Sequence, residues 1–242
     1  MGNVMSMNMQ SDDREPVSGG IALKERVRTD AVPKRRGYEI AKRVFDIIGS
    51  GLGLIILIPV FLIIGIMIMA ERSGKHVFYK QRRVGRYGKE IYIYKFRTMV
   101  DGAENLEKWF NEDQLRRYYA EYKIEDDPRV TKIGKLLRRT GLDELPQILN
   151  IFKGELSIVG PRPIQESELA FYGDKRDVLL SARPGLTGYW QVFCTKGAGA
   201  SYLDGRRQKM ELMYISKRGF WFDIKICFAT FGALVRKAKR GQ

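Results

Sequence analysis

The stretch IIGSGLGLIILIPVFLIIGIMIMA, residues 47–70, decides how this chain folds, because it contains 24 consecutive residues without a charged side chain. At about 1.5 Å per residue, a helix of this length reaches roughly 36 Å, enough to cross a bilayer. A buried core helix is the competing interpretation, but few soluble helices are apolar on all sides over such a length. The sequence therefore predicts a helix in contact with membrane lipid.

Basic residues flank this stretch on both sides. Those before it are Lys34, Arg35, Arg36, Lys42 and Arg43, and those after it are Arg72, Lys75, Lys80, Arg82, Arg83, Arg86 and Lys89. Such flanks are typical of the cytoplasmic ends of membrane segments. Pro59, at the centre of the run, removes one backbone hydrogen bond and favours a bend. We therefore expect a Pro-bent, re-entrant helix, with a straight spanning helix as the alternative.

The composition restricts the classes of function. Lys and Arg number 43 against 28 Asp and Glu, a net charge of +15, so we expect anionic partners such as phosphates, nucleic acid or an acidic membrane face. Cys194 and Cys227 lack metal-ligand spacing and are interpreted as reduced thiols. A single histidine, His76, disfavours a zinc site or a serine triad. If the chain is an enzyme, carboxylates and cations must carry its chemistry.

A short helix is predicted after LRRTGLD, residues 137–143. Apolar residues then recur at the spacing of one helical face, namely Leu145, Ile148, Leu149 and Phe152. Pro146 is tolerable only in a first turn, and Gly154 is suited to end the helix. We therefore expect this helix to begin near Asp143.

Asp143 and its neighbour Glu144 are candidates for chemistry as well as for helix capping. As a cap, Asp143 would only accept hydrogen bonds from free N–H groups, and Glu144 would only complement the helix dipole. Alternatively, a helix N-terminus with Arg138 and Arg139 nearby keeps a carboxylate ionised and attracts a phosphate. A nucleophile and its anionic target would then meet there, and the residues alone leave both interpretations open.

A strand and a helix are predicted in the preceding part of the chain. EIYIYKFRTM, residues 90–99, alternates in polarity and is rich in β-forming residues, which indicates a strand. Lys95 and Arg97 would share one face of it, about 7 Å apart by strand rise. That spacing suits two phosphates, although a merely solvated strand face shows the same pattern. Residues 103–122 follow the pattern of one amphipathic helix.

Two later segments have patterns that suit binding: the first a phosphate, the second a membrane surface. ELSIVGPRP, residues 155–163, is predicted to be a short strand that ends in a constrained turn. Arg162 stands between two prolines, so its guanidinium is placed with little freedom, which suits either a bidentate phosphate contact or simply a rigid surface turn. GFWFDIKICFATFGALVRKAKRG, residues 219–241, indicates an interfacial helix, with packing on the protein's own core as the alternative.

Several stretches together resemble the bacterial sugar transferases, which are monotopic polyprenyl-phosphate phosphoglycosyl transferases. They are VFYKQRRVG, YKFRTM, DDPRVTKIGKLLRRTGLDELPQILNIFKGELSIVGPRP and RPGLTGYWQV. Members move hexose-1-phosphate from a UDP-sugar to undecaprenyl phosphate and so initiate the synthesis of exopolysaccharides and related glycans. The resemblance implies a UDP-hexose, undecaprenyl phosphate and membrane lipids as partners, Mg²⁺ as cofactor and no nucleic acid, and it leaves a homodimer open.

The resemblance also implies roles for single residues. Asp143 would be the nucleophile that forms a covalent aspartyl-phosphosugar, and Glu144 would be the Mg²⁺-associated carboxylate. Arg138 and Arg162 would bind phosphate, and the family's Lys-Phe-Arg motif falls on residues 95–97. The sugar would be galactose or glucose. The competing class is a membrane-tethered basic binding protein without catalysis, which the charge permits but which does not require adjacent carboxylates.

The family fold gives the expected architecture, an α+β, predominantly helical, monotopic membrane protein. We expect a disordered N-terminal arm at residues 1–33, a membrane-associated re-entrant helix hairpin at 34–72, and a compact cytoplasmic catalytic domain with interfacial helices at 73–242. The protein would lie on the cytoplasmic face of the inner membrane. Many members carry Ser-Pro at the membrane bend, where this chain has Ile58 and Pro59.

Overall fold

Helices dominate the described part of the chain. The computed structural model describes residues 35–71, 74, 76–121, 124, 126–194 and 205–239. The helices are α1 (Arg36–Ala70), α2 (Leu106–Trp109), α3 (Glu112–Glu121), α4 (Lys132–Thr140), α5 (Gln147–Lys153), α6 (Arg176–Leu180), α7 (Tyr189–Phe193), α8 (Arg206–Lys217) and α9 (Phe220–Lys239). The strands are β1 (Phe78–Val84), β2 (Glu90–Phe96), β3 (Ser157–Val159) and β4 (Gly185–Thr187). β1 pairs antiparallel with β2, and β3 pairs parallel with β4. The expected mostly helical composition is confirmed, and the predicted arm, residues 1–33, lies outside the described residues.

The apolar stretch forms the middle and end of α1, which continues through Pro59 as one helix. α1 is long and apolar enough to cross a membrane, and 17% of its most apolar window is buried. Large side chains such as Ile55, Ile56 and Leu62 are exposed. The chain therefore has one long apolar N-terminal helix compatible with a membrane anchor, whereas its re-entrant course stays a prediction.

The first half of α1 packs closely against α5 and β3. A Cβ added at Gly53 would come within 2.4 Å of Cδ1 of Ile148, so this glycine allows a close approach of the two helices. Asp46 is fully buried and its Oδ1 accepts hydrogen bonds from Ser157 Oγ at 3.0 Å and from the Ile158 N–H at 2.9 Å. α1 is therefore part of the folded body and not a tail attached to it.

A buried polar cluster ties the start of α1 to α8 and α9. Asp223 accepts hydrogen bonds from the hydroxyls of Tyr38 and Tyr214, each at 2.8 Å, and from Lys42 Nζ at 2.5 Å. Ile226 of α9 is fully buried in the largest apolar core cluster. Other aromatic side chains of α9 are exposed, namely Trp221, Phe228 and Phe231. α9 thus packs on the core, and because it also presents aromatic side chains outward, the interfacial helix stays a prediction.

The segment predicted as one helix over residues 103–122 is divided. α2 and α3 are separated at Phe110, whose backbone is extended with φ −122° and ψ 141°. Phe110 is buried, and its ring lies 5.7 Å from that of Tyr118. The guanidinium of Arg129 lies over both rings, at 4.5 Å and 5.0 Å. The single-helix prediction was wrong because the contacts of Phe110 with a distant arginine outweigh the local helical pattern.

Candidate active site

The turn that carries Asp143 and Glu144 connects α4 to α5. Gly141 ends α4 in the left-handed region with φ 75°, and residues 142–144 form a single turn of 3-10 helix. α5 starts at Gln147, after Pro146, and ends at Gly154 with φ 86°. The prediction that Gly154 closes this helix is confirmed. The prediction that the helix begins near Asp143 was wrong: residues 142–144 form a 3-10 turn, Pro146 has no N–H to donate, and the α-helix starts only at Gln147. Both carboxylates therefore lie on the connecting turn.

The predicted site residues line one cavity of about 1310 Å³. These residues are Lys95, Arg97, Arg138, Asp143, Glu144 and Arg162. They come from β2 and the residue after it, from the last turn of α4, from the connecting turn, and from the loop after β3. The fold therefore brings all of them together, while the role of each residue stays a prediction.

Several charged side chains of the cavity have partners within the protein. Lys95 Nζ donates a hydrogen bond to Glu144 Oε1 at 3.1 Å. Arg138 Nε donates to Thr98 Oγ1 at 2.9 Å, which fixes the end of α4 against the segment after β2. Arg97 contacts the carboxylate of Asp101, which also lines the cavity. Lys95, Arg97 and Arg138 are therefore held in place by protein contacts before an anionic ligand enters.

Asp143 occupies the less solvated position of the two carboxylates. Burial raises the pKa of Asp143, and the neighbouring charge of Glu144 raises it further, while Lys95 and Arg138 act in the opposite direction. The Glu144 side chain is 40% exposed and paired with Lys95. Because perturbed carboxylates in a cleft are typical of functional sites, this asymmetry favours different tasks for the two residues.

Arg162 reaches the cavity from a turn that is itself anchored. β3 ends at Val159, as predicted, and the turn follows it. The Arg162 N–H donates to both carboxylate oxygens of Glu211, at 3.1 Å and 3.2 Å. The main chain of Arg162 is therefore fixed by α8, and its side chain lines the cavity.

Sequence reasoning missed several residues of the cavity wall. Tyr79 and Gln81 line it from β1, and in the register of the hairpin Tyr79 lies opposite Lys95. Arg129 and Tyr118 line another part of the wall. The first two could have been found by pairing the two predicted strands, whereas the last two depend on the interrupted helix, which no local pattern indicated.

The apolar part of α1 lies against the same turn. Ile64 and Ile68 of α1 form a cluster with Leu137, and partly buried Leu142 and Leu145 pack on it. These two leucines directly precede and follow the two carboxylates in the chain. The candidate site is therefore built beside the helix that suits a membrane.

A divalent cation suits the donor set of this cavity. Among the described residues, no group of three or more His, Cys, Asp or Glu side chains forms a metal cage. Asp143, Glu144 and Asp101 nevertheless line the cavity together with several cations. Mg²⁺ in phosphate-transfer sites uses one or two carboxylates and takes its other ligands from water and substrate phosphates. The residues present fit such a shared site, with Glu144 next to Asp143 as a donor.

Comparison with known proteins gives the family. The chain matches the bacterial sugar transferase family over residues 37–237. It belongs to this family. This transferase is 40% identical to the exopolysaccharide production protein ExoY of Rhizobium meliloti over 198 aligned residues. The aligned region covers 81% of this chain and 85% of the relative.

Two further relatives carry more specific names. The undecaprenyl-phosphate galactose phosphotransferase of Salmonella typhimurium is 39% identical over 207 residues, 84% of this transferase and 42% of the relative. The UDP-N-acetylgalactosamine-undecaprenyl-phosphate N-acetylgalactosaminephosphotransferase of Aeromonas hydrophila is 32% identical, over 82% of this chain and 44% of the relative. This transferase therefore spans most of ExoY but less than half the length of these two relatives.

Proposed function

We propose that this transferase moves hexose-1-phosphate from a UDP-sugar to undecaprenyl phosphate through a covalent intermediate on Asp143. The observation that carries the proposal is that one cavity is lined by both Asp143 and Glu144 and by five cationic side chains. The names of the relatives, which include two undecaprenyl-phosphate sugar transferases, support the same reaction. Exopolysaccharide synthesis is the proposed pathway, in line with the name of ExoY.

The proposed reaction has two steps. In the first, a carboxylate oxygen of Asp143 attacks the sugar-linked phosphorus, the bridging P–O bond of the diphosphate breaks, and UMP leaves with the bond's electron pair. In the second, a phosphate oxygen of undecaprenyl phosphate attacks the same phosphorus and breaks its bond to Asp143. The carboxylate is regenerated and the product is undecaprenyl diphosphate hexose.

The surrounding residues have separable tasks in this scheme. Arg138 and Arg162 would bind phosphate oxygens, and Lys95 and Arg97 would neutralise the charge that develops on the leaving UMP. When bound, Mg²⁺ would supply further neutralisation of the diphosphate, with Glu144 as its protein ligand. Since adjacent residues on a helical turn do not face each other, Asp143 can meet the phosphorus while Glu144 faces the cations.

The contacts of α1 support a monotopic arrangement at the membrane surface. Arg35, just before α1, donates a hydrogen bond to the Arg218 carbonyl at 2.6 Å. Glu71, just after α1, accepts one from the Ile133 N–H at 3.2 Å. Both ends of α1 therefore contact the same body, as a re-entrant helix requires. We place that body at the cytoplasmic face of the inner membrane, where a lipid-linked acceptor can reach Asp143.

The donor sugar is proposed to be galactose or glucose. Relatives are named for galactose and for N-acetylgalactosamine, so the family itself accepts more than one hexose. Release of UMP from a panel of UDP-hexoses, measured with undecaprenyl phosphate in detergent, identifies the donor. Equal inactivity with every UDP-sugar would favour the non-catalytic binding protein instead.

The decisive test concerns Asp143. Asp143→Asn should abolish UMP release even without acceptor, because an amide cannot form the acyl phosphate. Intact-protein mass spectrometry after incubation with UDP-sugar and Mg²⁺ should show a hexose-phosphate adduct on the wild type and none on the variant. Asp126→Asn is the matched control, because that carboxylate is 96% exposed and lies outside the cavity. An active Asp143→Asn enzyme, or an adduct on another residue, would overturn the mechanism.

A further inference from the structure

The turn between Pro161 and Pro163 contains one backbone donor, the N–H of Arg162, because proline has none. The carboxylate of Glu211, in α8, accepts the hydrogen bond from this N–H: both of its oxygens lie within 3.2 Å of the Arg162 nitrogen. The two residues are 49 positions apart in the chain. The direction in which the Arg162 side chain leaves the main chain is thus set by a residue from a distant helix.

Glu211 is buried deeply for a carboxylate. Its side chain is 3% exposed, and removing a charge from water is costly unless the charge is well partnered. Its cationic neighbour is Arg207, whose Nε lies 3.8 Å from Oε1. At that distance the pair is an ion pair without a hydrogen bond, so the close hydrogen bonds of Glu211 go to the main chain of the turn.

A chain of buried charges holds Glu211 in position. Arg207 contacts Glu168 at 3.5 Å, and Glu168 contacts Arg83 of β1 at 3.6 Å. All of these side chains are at most 16% exposed. α8, the segment after the turn and the first hairpin are therefore joined, and the carboxylate of Glu211 has little freedom to leave Arg162.

We propose that Glu211 is a positioning residue for donor binding: it aims the Arg162 guanidinium into the cavity by accepting the Arg162 N–H. This inference rests on the proposed function, in which Arg162 contacts the donor's phosphates. In this role, the length of the Glu211 side chain and its acceptor oxygen determine the position of Arg162, and the negative charge is secondary. Substitutions can separate the effect of length from the effect of charge.

Three variants of Glu211 make the separation. Glu211→Gln keeps the length and one acceptor oxygen, and its donor KM and kcat should stay within about 3-fold of wild type. Glu211→Asp keeps the charge but shortens the side chain, and Glu211→Met keeps the volume but removes the acceptor. Both should lower kcat/KM for the UDP-sugar about 10-fold, mainly through KM, since a ground-state phosphate contact is loosened. Glu166→Gln is the matched control, because Glu166 is a partly exposed carboxylate that pairs with Arg82. This variant should have the kinetics of the wild type.

A double-mutant cycle with Arg162 distinguishes positioning from general damage. In an Arg162→Ala background, Glu211→Asp should cause no further loss, because the side chain that Glu211 aims is gone. A purely structural role would produce the same loss in both backgrounds. Glu211→Asp is the main probe because it keeps a carboxylate in the buried site, and Glu211→Met is included where its melting temperature in detergent matches wild type.

The outcomes separate this inference from the proposed function. Full activity of Glu211→Asp, an inactive Glu211→Gln, or losses that add in the Arg162→Ala background would overturn the positioning role while UMP release by the wild type stands. A wild type that releases no UMP from any UDP-hexose would overturn the proposed function and this inference with it. The predicted pattern is a neutral Gln variant, an impaired Asp variant and a non-additive double variant.

Discussion

Glu144 and Lys95 form the pair that controls the charge beside the proposed nucleophile. Lys95 Nζ lies 3.1 Å from Glu144 Oε1, and the charge of Glu144 is the second largest cause, after burial, of the raised pKa of Asp143. Glu144 disfavours ionisation of its neighbour, and in the proposed mechanism it would also supply a carboxylate to a bound cation. A substitution that removes only its charge affects both.

Glu144→Gln should lower activity and raise the Mg²⁺ concentration needed for half-maximal UMP release, because the proposed metal ligand would lose its charge. The same variant should change the pH profile of adduct formation. Asp143 must be ionised to attack, so the rate falls as pH falls through its pKa. Without the charge of Glu144 this pKa decreases, and the acid limb should move to lower pH.

Single-turnover adduct formation, measured by mass spectrometry at saturating Mg²⁺, would record this acid limb. The measurements would run from roughly pH 4 to 8, because carboxyl groups ordinarily titrate near the lower end of that interval and a raised pKa lies within it. Asp126→Asn again serves as control and should leave the limb in place. An acid limb that stays fixed in Glu144→Gln would show that the two carboxylates do not interact as described.

The roles proposed for single residues were predictable from sequence where the residues are local. Asp143 and Glu144 are adjacent, and Arg162 is marked by its two prolines. Glu211 had no such signal, because its importance depends on a contact with a turn 49 residues away. From sequence alone, a carboxylate within a helix is expected to lie on the solvated face, and only the structure shows that it is buried.

At the scale of elements, α4 is positioned by one close approach. A Cβ at Gly134 would lie 2.1 Å from the carbonyl oxygen of Thr98 and 2.8 Å from its Cα. The Thr98 carbonyl also accepts the N–H of Thr131, the N-cap of α4, at 3.1 Å. Because backbone cannot swing aside as a side chain can, α4 sits at this distance only with glycine at position 134.

Gly134→Ala should therefore move α4 away from the end of β2 and break the bond from Arg138 to Thr98 Oγ1. Overpacking of this kind typically costs about 1–3 kcal/mol. The expected result is a lower melting temperature in detergent together with reduced UMP release. Gly37→Ala is the matched control, since a Cβ there meets nothing within 4 Å and alanine favours a helix. Equal melting temperatures for the two variants would contradict the close approach.

Local sequence patterns predicted uninterrupted elements well. They did not predict where a helical pattern is interrupted. The strand predicted over residues 90–99, which the structure ends at Phe96, the turn at Arg162 and the helix end at Gly154 follow from local rules of residue type. The break at Phe110 does not, because Phe110 and Tyr118 contact Arg129, which is distant in the sequence. Tertiary contacts of this kind override propensity and leave no local signature.

At the scale of the whole molecule, α1 is both an apolar helix long enough for a membrane anchor and a structural element of the body. Its first half contributes Asp46 to the body, and its second half contributes Ile64 and Ile68 to the cluster under the carboxylate turn. Hydropathy predicted the lipid contact, but it carries no information on docking. In the proposed membrane arrangement, this docking would fix the height of the carboxylate turn above the bilayer.

This docking predicts the topology of the protein in cells. The contacts of Arg35 and Glu71 place both ends of α1 on one body, and a helix that spanned the bilayer would place those ends on opposite sides. Cysteines substituted singly for Arg36 and Lys75, in a background with serine at positions 194 and 227, should both resist a membrane-impermeant maleimide on intact cells. Both should react after the cells are opened.

The side on which the body lies needs its own marker in this experiment. Asp126→Cys supplies it, because that side chain is 96% exposed and belongs to the body. In the proposed cytoplasmic arrangement, all three cysteines are protected in intact cells and labelled in opened ones. Labelling of one end of α1 from outside, with the other end and position 126 protected, would require a spanning helix. The contacts of that outer end with the body could not then exist in the membrane, so the labelling pattern tests the docking of α1 as directly as it tests topology.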